Sequence, residues 1–180
     1  CTKNTYGTGC FMLMNTGEAC VASEHGLVST IGIAHDGKIS YALEGSIFHA
    51  GTTVQWLRDK LGLISSTKEA SDLCRHLDDN CGCYLVPASG GLGAPWWDPD
   101  ARGLICGLTG ASDRATLVRA ACESMAYQSF DVLRSMERDA GVKIETRSVD
   151  GGASRNECIR QFQADVLGLR VEPKEMVETK

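Results

Sequence analysis

The chain has 180 residues, of which 43% are hydrophobic and 23% are charged, and its formal net charge is −5. These values are typical of one globular domain or slightly more, and the absence of basic blocks argues against nucleic acid or an anionic membrane as the main partner. No apolar run approaches the roughly 18 residues of a membrane span, and the N-terminal residues do not resemble a signal peptide. We therefore expect a soluble, cytoplasmic protein.

Nine cysteines are many for a chain of this length, but their number is odd and their spacing does not fit a zinc site. Cys81 and Cys83 are separated by one residue, and the four histidines cluster neither with them nor with one another. We expect no metal site. Cys106 and Cys122 lie among apolar residues, which favours small core side chains, and reduced thiols are the expectation in the cytosol.

Strand-like runs separated by turn residues occupy the first part of the chain. The runs cover residues 10–14, 27–33 and 39–43, and the turns contain Asn-Thr-Gly and Asp-Gly. Alternation of strands with such turns predicts an antiparallel N-terminal meander.

Helical periodicity begins after these strands. A helix is predicted over residues 46–61, ending at Gly62. Its apolar stripe consists of Ile47, Ala50, Val54, Leu57 and Leu61. A second helix is predicted over residues 67–77, because Ser66 and Glu69 have the spacing of a capping box.

The longest predicted helix lies in the second half of the chain. It covers residues 114–140, with Asp113 as N-cap and Gly141 as stop, and we expect it to be the central packing element. A short buried strand is predicted over residues 84–87, followed by an irregular loop over residues 89–103 that is rich in glycine and tryptophan.

A strand, a glycine turn and a helix follow one another near the end of the chain. The strand is predicted over residues 142–149 and the helix over 155–167, and a last strand over 170–172 completes a βαβ unit. Ser154 and Glu157 have capping-box spacing, so the first-turn N–H groups would face an anion. With the glycine turn at residues 6–9, this suggests a two-part phosphate grip, although glycines also form ordinary turns.

Four separate motifs give the chain a family resemblance. Residues 3–13, 41–45, 91–103 and 149–152 closely resemble the FGGY family of carbohydrate kinases, and the similarity extends over essentially the whole chain in collinear order. The Tyr-Ala-Leu-Glu-Gly and Gly-Ala-Pro-Trp-Trp-Asp-Pro stretches favour the members that phosphorylate glycerol over those that phosphorylate pentuloses.

The resemblance implies an α/β, RNase H-like fold of the actin and hexokinase type, in which two domains close on ATP. Residues 1–180 then correspond to the C-terminal nucleotide-binding domain, incomplete at its C-terminal end, and the first domain is absent. The implied activity is ATP-dependent phosphorylation of glycerol to glycerol 3-phosphate, with Mg²⁺ and with ADP as the other product. The general-base aspartate is expected upstream, so no catalytic residue is assigned in this chain, and the complete protein is an expected homo-oligomer.

The resemblance also assigns site residues. The nucleotide-binding set is Gly7, Thr8, Gly9, Gly51, Gln55, Gly152 and Asn156. Thr8 would meet the terminal phosphates, Gly152 would approach a phosphate, and Asn156 would reach the adenine or ribose. On residue type alone, Gly51 and Gln55 are more simply interpreted as an ordinary helix glycine and a solvated glutamine. Phe11 would line the glycerol carbons, although such a phenylalanine is often a core residue.

The chain departs from the family pattern at a few positions and leaves two alternatives open. Ser89 and Gly90 stand where the family has a phenylalanine and a variable residue, Thr116 stands in place of a His or Asn, and Cys122 replaces a larger apolar residue. One alternative is a non-catalytic nucleotide-binding module of the same fold. The other is a kinase for another polyol or a ketose.

Overall fold

The computed structural model describes residues 2–152 and 156–173, and these contain eight strands and four helices. The strands are β1 (Thr2–Tyr6), β2 (Cys10–Gly17), β3 (Val28–His35), β4 (Lys38–Ile47), β5 (Tyr84–Val86), β6 (Leu104–Cys106), β7 (Thr146–Gly151) and β8 (Arg170–Pro173). The helices are α1 (Gly51–Asp59), α2 (Thr67–Arg75), α3 (Arg114–Ala140) and α4 (Glu157–Leu167). Within the described part of the chain, no helix has the length and apolar character needed to cross a bilayer.

The main sheet has six strands in the order β3-β4-β2-β1-β7-β8. Strand β1 is antiparallel to β2 but parallel to β7, which is parallel to β8, so the sheet is mixed. The predicted antiparallel arrangement of the N-terminal strands is confirmed, but β4 lies between β2 and β3, so the strands do not follow chain order as in a meander. Pairing of Cys10 with Ile47 buries both side chains and places β4 next to β2.

Side-chain alternation along β2 gives the sheet a covered and an open face. Cys10 and Met12 are buried, whereas Phe11 and Leu13, which alternate with them along the strand, are exposed. Helix α3 lies on the covered face, so close to β4 that a Cβ on Gly45 would lie 2.3 Å from a methyl carbon of Val132.

Helix α3 has the bounds that its capping residues predict. The Thr116 amide donates to Asp113 Oδ1 (2.9 Å), the Asp113 amide donates to Thr116 Oγ1 (3.3 Å), and Gly141 ends the helix in the left-handed conformation. Ala121, Met125, Val132 and Met136 are all buried, as the helical spacing predicts. The helix is therefore the central packing element.

The first predicted helix starts too early. Ser46 and Ile47 belong to β4, α1 begins at Gly51, and Leu61 lies beyond the helix and is exposed. Ile47 agrees with the predicted apolar stripe of the helix because the end of β4 and the helix that follows it both bury side chains in the same core. Pairing with Cys10 decides in favour of the strand.

Two shorter helices differ in how well their caps were predicted. Ser66 caps α2 by accepting a hydrogen bond from the Glu69 amide (3.1 Å), as predicted. Helix α4 begins at Glu157 with Asn156 as its N-cap, so the capping role predicted for Ser154 is wrong, and Ser154 itself lies outside the described residues. The terminal βαβ unit is confirmed, although its first strand begins at Thr146 rather than at residue 142.

The short strands β5 and β6 form a separate two-stranded sheet. The sequence predicts β5 as a buried strand, but Tyr84 and Val86 are exposed and only Leu85 is buried. It does not predict β6, which pairs with β5 directly after the irregular loop. Cys106 on β6 is exposed, so its prediction as a core residue is wrong, whereas Cys122 on α3 is buried as predicted.

Candidate functional site

The two glycine turns meet at one edge of the main sheet. Tyr6 at the end of β1 is paired with Gly151 at the end of the parallel strand β7. Because parallel strands end at the same edge, the turns that follow them lie side by side, as at the ligand sites of open α/β sheets. Gly151 has a φ of +88°, and a Cβ there would lie far inside contact distance of the Tyr6 carbonyl, so this pairing requires glycine.

A cleft of about 750 Å³ opens at this edge. The residues of the predicted nucleotide set that line it are Gly7, Thr8, Gly51, Gln55, Gly152 and Asn156. Gly9 does not line it. Gly9 is buried, and a Cβ there would lie 2.4 Å from the Ile47 carbonyl oxygen, so it allows the turn to pack against the end of β4.

The turn around Thr8 is fastened to the start of α1. The Thr8 carbonyl accepts hydrogen bonds from the Ala50 amide (3.3 Å), the Thr52 amide (3.1 Å) and Thr52 Oγ1 (3.1 Å). The Gly7 amide donates to the Gly9 carbonyl (2.9 Å), so this donor, expected to face an anion, is used within the turn. Thr8 itself is exposed and borders the cleft.

Helix α1 approaches the turn so closely that its first residue must be small. A Cβ on Gly51 would lie 2.4 Å from the Gly7 carbonyl oxygen. The N-cap, Ala50, has no side chain that could satisfy the first amides, and Gln55 projects from the exposed surface one turn further on. The positive end of the α1 dipole therefore borders the cleft.

The start of α4 forms another part of the cleft. Asn156 Oδ1 accepts from the Ile159 amide (3.3 Å) and from Ser71 Oγ on α2 (3.0 Å), so this side chain both caps α4 and joins it to α2. Among the described residues, nothing lies within 4 Å of a Cβ built on Gly152. Gly152 lines the cleft, and the described residues leave the space above it open.

Helix α2 supplies a wall of the cleft that is not predicted from the sequence. Its lining residues are Thr67, Lys68, Ala70, Ser71, Asp72 and Arg75. With Arg58 of α1, whose guanidinium is paired with Asp59 (Nε to Oδ1, 2.6 Å), this lining carries three cationic side chains and one carboxylate, and cations at a cleft attract a polyphosphate. The signal in the sequence is the polar face formed by Thr67, Ser71 and Arg75 at intervals of four residues.

A buried ion pair on α3 holds α2 in place. Arg119 Nε donates to Glu123 Oε1 (2.7 Å), and Arg119 Nη1 donates to the Cys74 carbonyl at the end of α2 (2.9 Å). Glu123 Oε2 also accepts from Asn80 Nδ2 (2.9 Å). Burial near this carboxylate raises the pKa of Tyr127 to about 12. The cleft wall thus rests on a buried polar network with its charges paired.

Phe11 lies away from this cleft. It is 50% exposed on the open face of the sheet, opposite Ser46 of β4, and does not line the cleft. It is not a core residue. The predicted substrate contact and the predicted nucleotide contacts therefore lie in different parts of the surface.

The sequence of residues 2–179 matches the model of the FGGY family of carbohydrate kinases, C-terminal domain. The curated glycerol kinase of Clostridium botulinum (strain Hall) is 53% identical over 98% of this chain, and that of Dechloromonas aromatica is 56% identical over 98%. The chain spans 36% of the length of the first relative and 35% of the second.

Solved structures agree with these relatives. The crystal structure of Plasmodium falciparum glycerol kinase with ADP has a TM-score of 0.92 and 40% identity, covering 98% of this chain and 35% of that one. A ligand-bound xylulose kinase from Lactobacillus acidophilus, 19% identical with a TM-score of 0.84 over 98% of this chain and 35% of that one, shares the fold. The predicted α/β fold of the actin and hexokinase type is confirmed. From its sequence and its structure alike, the chain belongs to the FGGY family of carbohydrate kinases.

Proposed function

We propose that the chain is the C-terminal, ATP-binding domain of a kinase that phosphorylates glycerol, producing glycerol 3-phosphate and ADP. The observation that carries this proposal is the convergence of the Thr8 turn, the start of α1 and Gly152 on one cleft with a cationic wall. The identity of more than 50% with curated glycerol kinases supports glycerol as the acceptor. Since the chain spans about a third of those proteins, the activity belongs to a longer protein.

The residues of the cleft can act on the nucleotide in distinct ways. The Thr8 hydroxyl and the positive end of α1 stabilise charge on the terminal phosphates, including the charge that develops on the phosphoryl group during transfer. Open space at Gly152 lets a phosphate approach the backbone. Because Asn156 Oδ1 is engaged with Ser71 and Ile159, its amide nitrogen is the group left for the ribose or adenine.

Magnesium enters this proposal with the nucleotide. In the described part of the chain, no group of three His, Cys, Asp or Glu side chains could hold a metal ion, and Asp72 is the carboxylate in the cleft lining. Mg²⁺ bound to the phosphates would neutralise part of their charge. This chain's contribution is to orient the phosphates with backbone groups and cations.

The acceptor side of the proposal depends on a first domain. We propose that this domain supplies the general-base aspartate and most of the glycerol pocket, and that Phe11 completes the apolar wall around the carbons. The open face near Phe11 also exposes Leu13 and Val28, which are paired with Glu44 of β4 from its two sides, as a surface covered by another domain would. A cytoplasmic homo-oligomer is the form that we propose for the complete protein.

The test is to incubate the full-length protein with ATP and glycerol and to measure ADP and glycerol 3-phosphate together. We expect glycerol-dependent formation of both in equal amounts. Residues 1–180 alone are expected to give no transfer, because half of the cleft and the base are lacking. Steady transfer by residues 1–180 would show that the base is misplaced.

Two other results of this assay would select the alternatives. Nucleotide binding without acceptor-dependent ADP formation would identify a non-catalytic module. A much higher kcat/KM for a ketose or another polyol than for glycerol would overturn the acceptor assignment.

A further inference from the structure

His49 forms a line of hydrogen bonds from the glycine-rich loop to the Thr8 turn. Its Nε2 accepts from the Gly90 amide (2.9 Å), and its Nδ1 lies 3.3 Å from Thr52 Oγ1. Thr52 Oγ1 donates in turn to the Thr8 carbonyl (3.1 Å). The backbone of His49 is fixed from the other side, because Gln128 Nε2 donates to its carbonyl (3.1 Å). His49 is therefore bonded directly to the glycine-rich loop, α1 and α3, and is connected through Thr52 to the Thr8 turn.

The direction of each hydrogen bond fixes the form of the imidazole. The Gly90 amide can only donate, so Nε2 must carry no hydrogen. The ring is then neutral with its hydrogen on Nδ1, which donates to Thr52 Oγ1 and leaves the threonine hydrogen for the Thr8 carbonyl. Every donor in the line has an acceptor. A protonated imidazole would place an N–H group against the N–H of Gly90.

Gly90, which lies against the His49 ring, leaves room for it because it has no side chain. A Cβ on Gly90 would lie 3.1 Å from His49 Nε2, which is tighter than ordinary van der Waals contact. A side chain at residue 90 would therefore require the His49 ring to shift from its position at the Gly90 amide.

We propose that His49 is a positioning residue that, as the neutral imidazole, holds the Thr8 turn in the conformation that meets the terminal phosphates. The inference rests on the proposed function, because it concerns the same nucleotide site. His49 does not line the cleft, so it acts through Thr52 and the Thr8 carbonyl rather than by touching the nucleotide.

A pH dependence follows from this arrangement. Burial lowers the pKa of His49 from its ordinary value of 6.5. The neutral form predominates above that value, so the line is intact at neutral pH and is lost as the pH falls below 6.5 and the ring takes up a proton. Nucleotide affinity is expected to fall over the same range.

The charged side chains near His49 do not reverse the direction of this pH dependence. The groups hydrogen-bonded to His49, namely the Thr52 hydroxyl, the Gln128 amide and the Gly90 backbone, are all uncharged. The elements packed around it carry ionisable side chains of both signs, which include Glu44 on β4, Arg58 and Asp59 on α1, Arg119, Glu123 and Asp131 on α3, and Asp98 and Arg102 in the loop. Burial is the cause of the lowered pKa of His49.

The test compares the ATP affinity of the full-length protein with that of His49→Val and Thr52→Val, by calorimetry from about pH 5.5 to pH 8. At neutral pH both variants are expected to bind ATP about three- to tenfold more weakly, the effect of one or two hydrogen bonds. Below pH 6.5 the parent should lose affinity more steeply than His49→Val, which lacks this imidazole. Thr52→Ser, which keeps the hydroxyl, should restore most of the affinity.

His35→Ala is the matched control, because the side chain of this histidine is exposed on β3. Among the described residues, the side chain contacts only the exposed carboxylate of Asp36. It should have the affinity and the pH profile of the parent. Unchanged affinity and pH profile in His49→Val and Thr52→Val would overturn the inference while leaving nucleotide binding intact, and so would a lower Tm with unchanged affinity. Absence of ATP binding in the parent would overturn the proposed function and this inference with it.

Discussion

The two sides of the cleft use glycine for different reasons. At the Thr8 turn, Gly9 and Gly51 have no room for a Cβ, because carbonyl oxygens lie 2.4 Å from where each Cβ would be. At the start of α4, Gly152 has no described neighbour within 4 Å of its Cβ position. The first pair is required by packing within the protein. The described residues place no such constraint on Gly152, so its small size matters for what enters the cleft.

This difference shows that a glycine in a site motif does not have a single meaning. Where backbone meets backbone, a side chain disturbs the fold and then the site. Where the space is open, a side chain leaves the fold unchanged and acts on the ligand alone. Substitutions on the two sides should therefore separate stability from nucleotide affinity.

Of the substitutions in the cleft, Gly51→Ala should lower the stability most. A small effect would remove the difference between the tightly packed glycines and Gly152. Alanine favours a helix by about 1 kcal/mol over glycine, but its Cβ would overlap the Gly7 carbonyl, and overpacking costs about 1 to 3 kcal/mol. Since the Gly7 backbone cannot move without displacing the Thr8 turn, we expect a lower Tm and weaker ATP binding. Thermal unfolding and calorimetry measure the two.

Gly110→Ala is the control for this substitution. Gly110 is exposed, and no described atom lies within 4 Å of its Cβ position. Its stability should stay within about 0.5 kcal/mol of the parent. Equal stability of the Gly51 and Gly110 variants would contradict a packing requirement at α1.

Phe11→Ala tests a residue outside the cleft and should separate ATP affinity from activity with glycerol. Phe11 lies on the open face, so its removal should leave ATP affinity unchanged while lowering kcat/KM for glycerol by more than about fivefold, equivalent to more than ~1 kcal/mol. Steady-state kinetics of the full-length protein provide the measurement. An effect within about twofold on glycerol would remove Phe11 from the acceptor pocket.

Gly152→Ala should have the smallest effect. The methyl group enters open space, so the free energy of unfolding should change by less than about 0.5 kcal/mol and ATP affinity by only a few fold. Chemical denaturation and calorimetry would show both. A large loss of stability would mean that Gly152, like Gly51, is required by packing.

The sequence predicts elements well where the signals are local. Asp113 and Gly141 bound α3 correctly, because a cap and a left-handed stop act within one turn of the helix. The start of α1 was misplaced because pairing of Ile47 with Cys10 is a contact between distant residues. For the same reason the strand order within the N-terminal region and the short strand β6 were missed.

The candidate site was predicted mainly through the family resemblance. Periodicity alone gave no reason to single out Gly51 and Gln55, which the structure brings to the cleft beside Thr8. The α2 wall, with Lys68 and Arg75, could not be predicted, because it depends on the docking of α2 against Arg119 of α3. Side chains that reach a site through tertiary packing leave only a polar helix face as a signal.

The proposed function requires a nucleotide phosphate in the space at Gly152, and the ATP affinity of Gly152→Asp in the full-length protein is the sharpest test of that claim. Like-charge juxtaposition costs several kcal/mol, so we expect calorimetry to show binding weakened about 100-fold or more with an unchanged Tm. Gly110→Asp adds the same group outside the cleft and should bind ATP within about twofold of the parent. Parent-like ATP affinity in Gly152→Asp would contradict the claim.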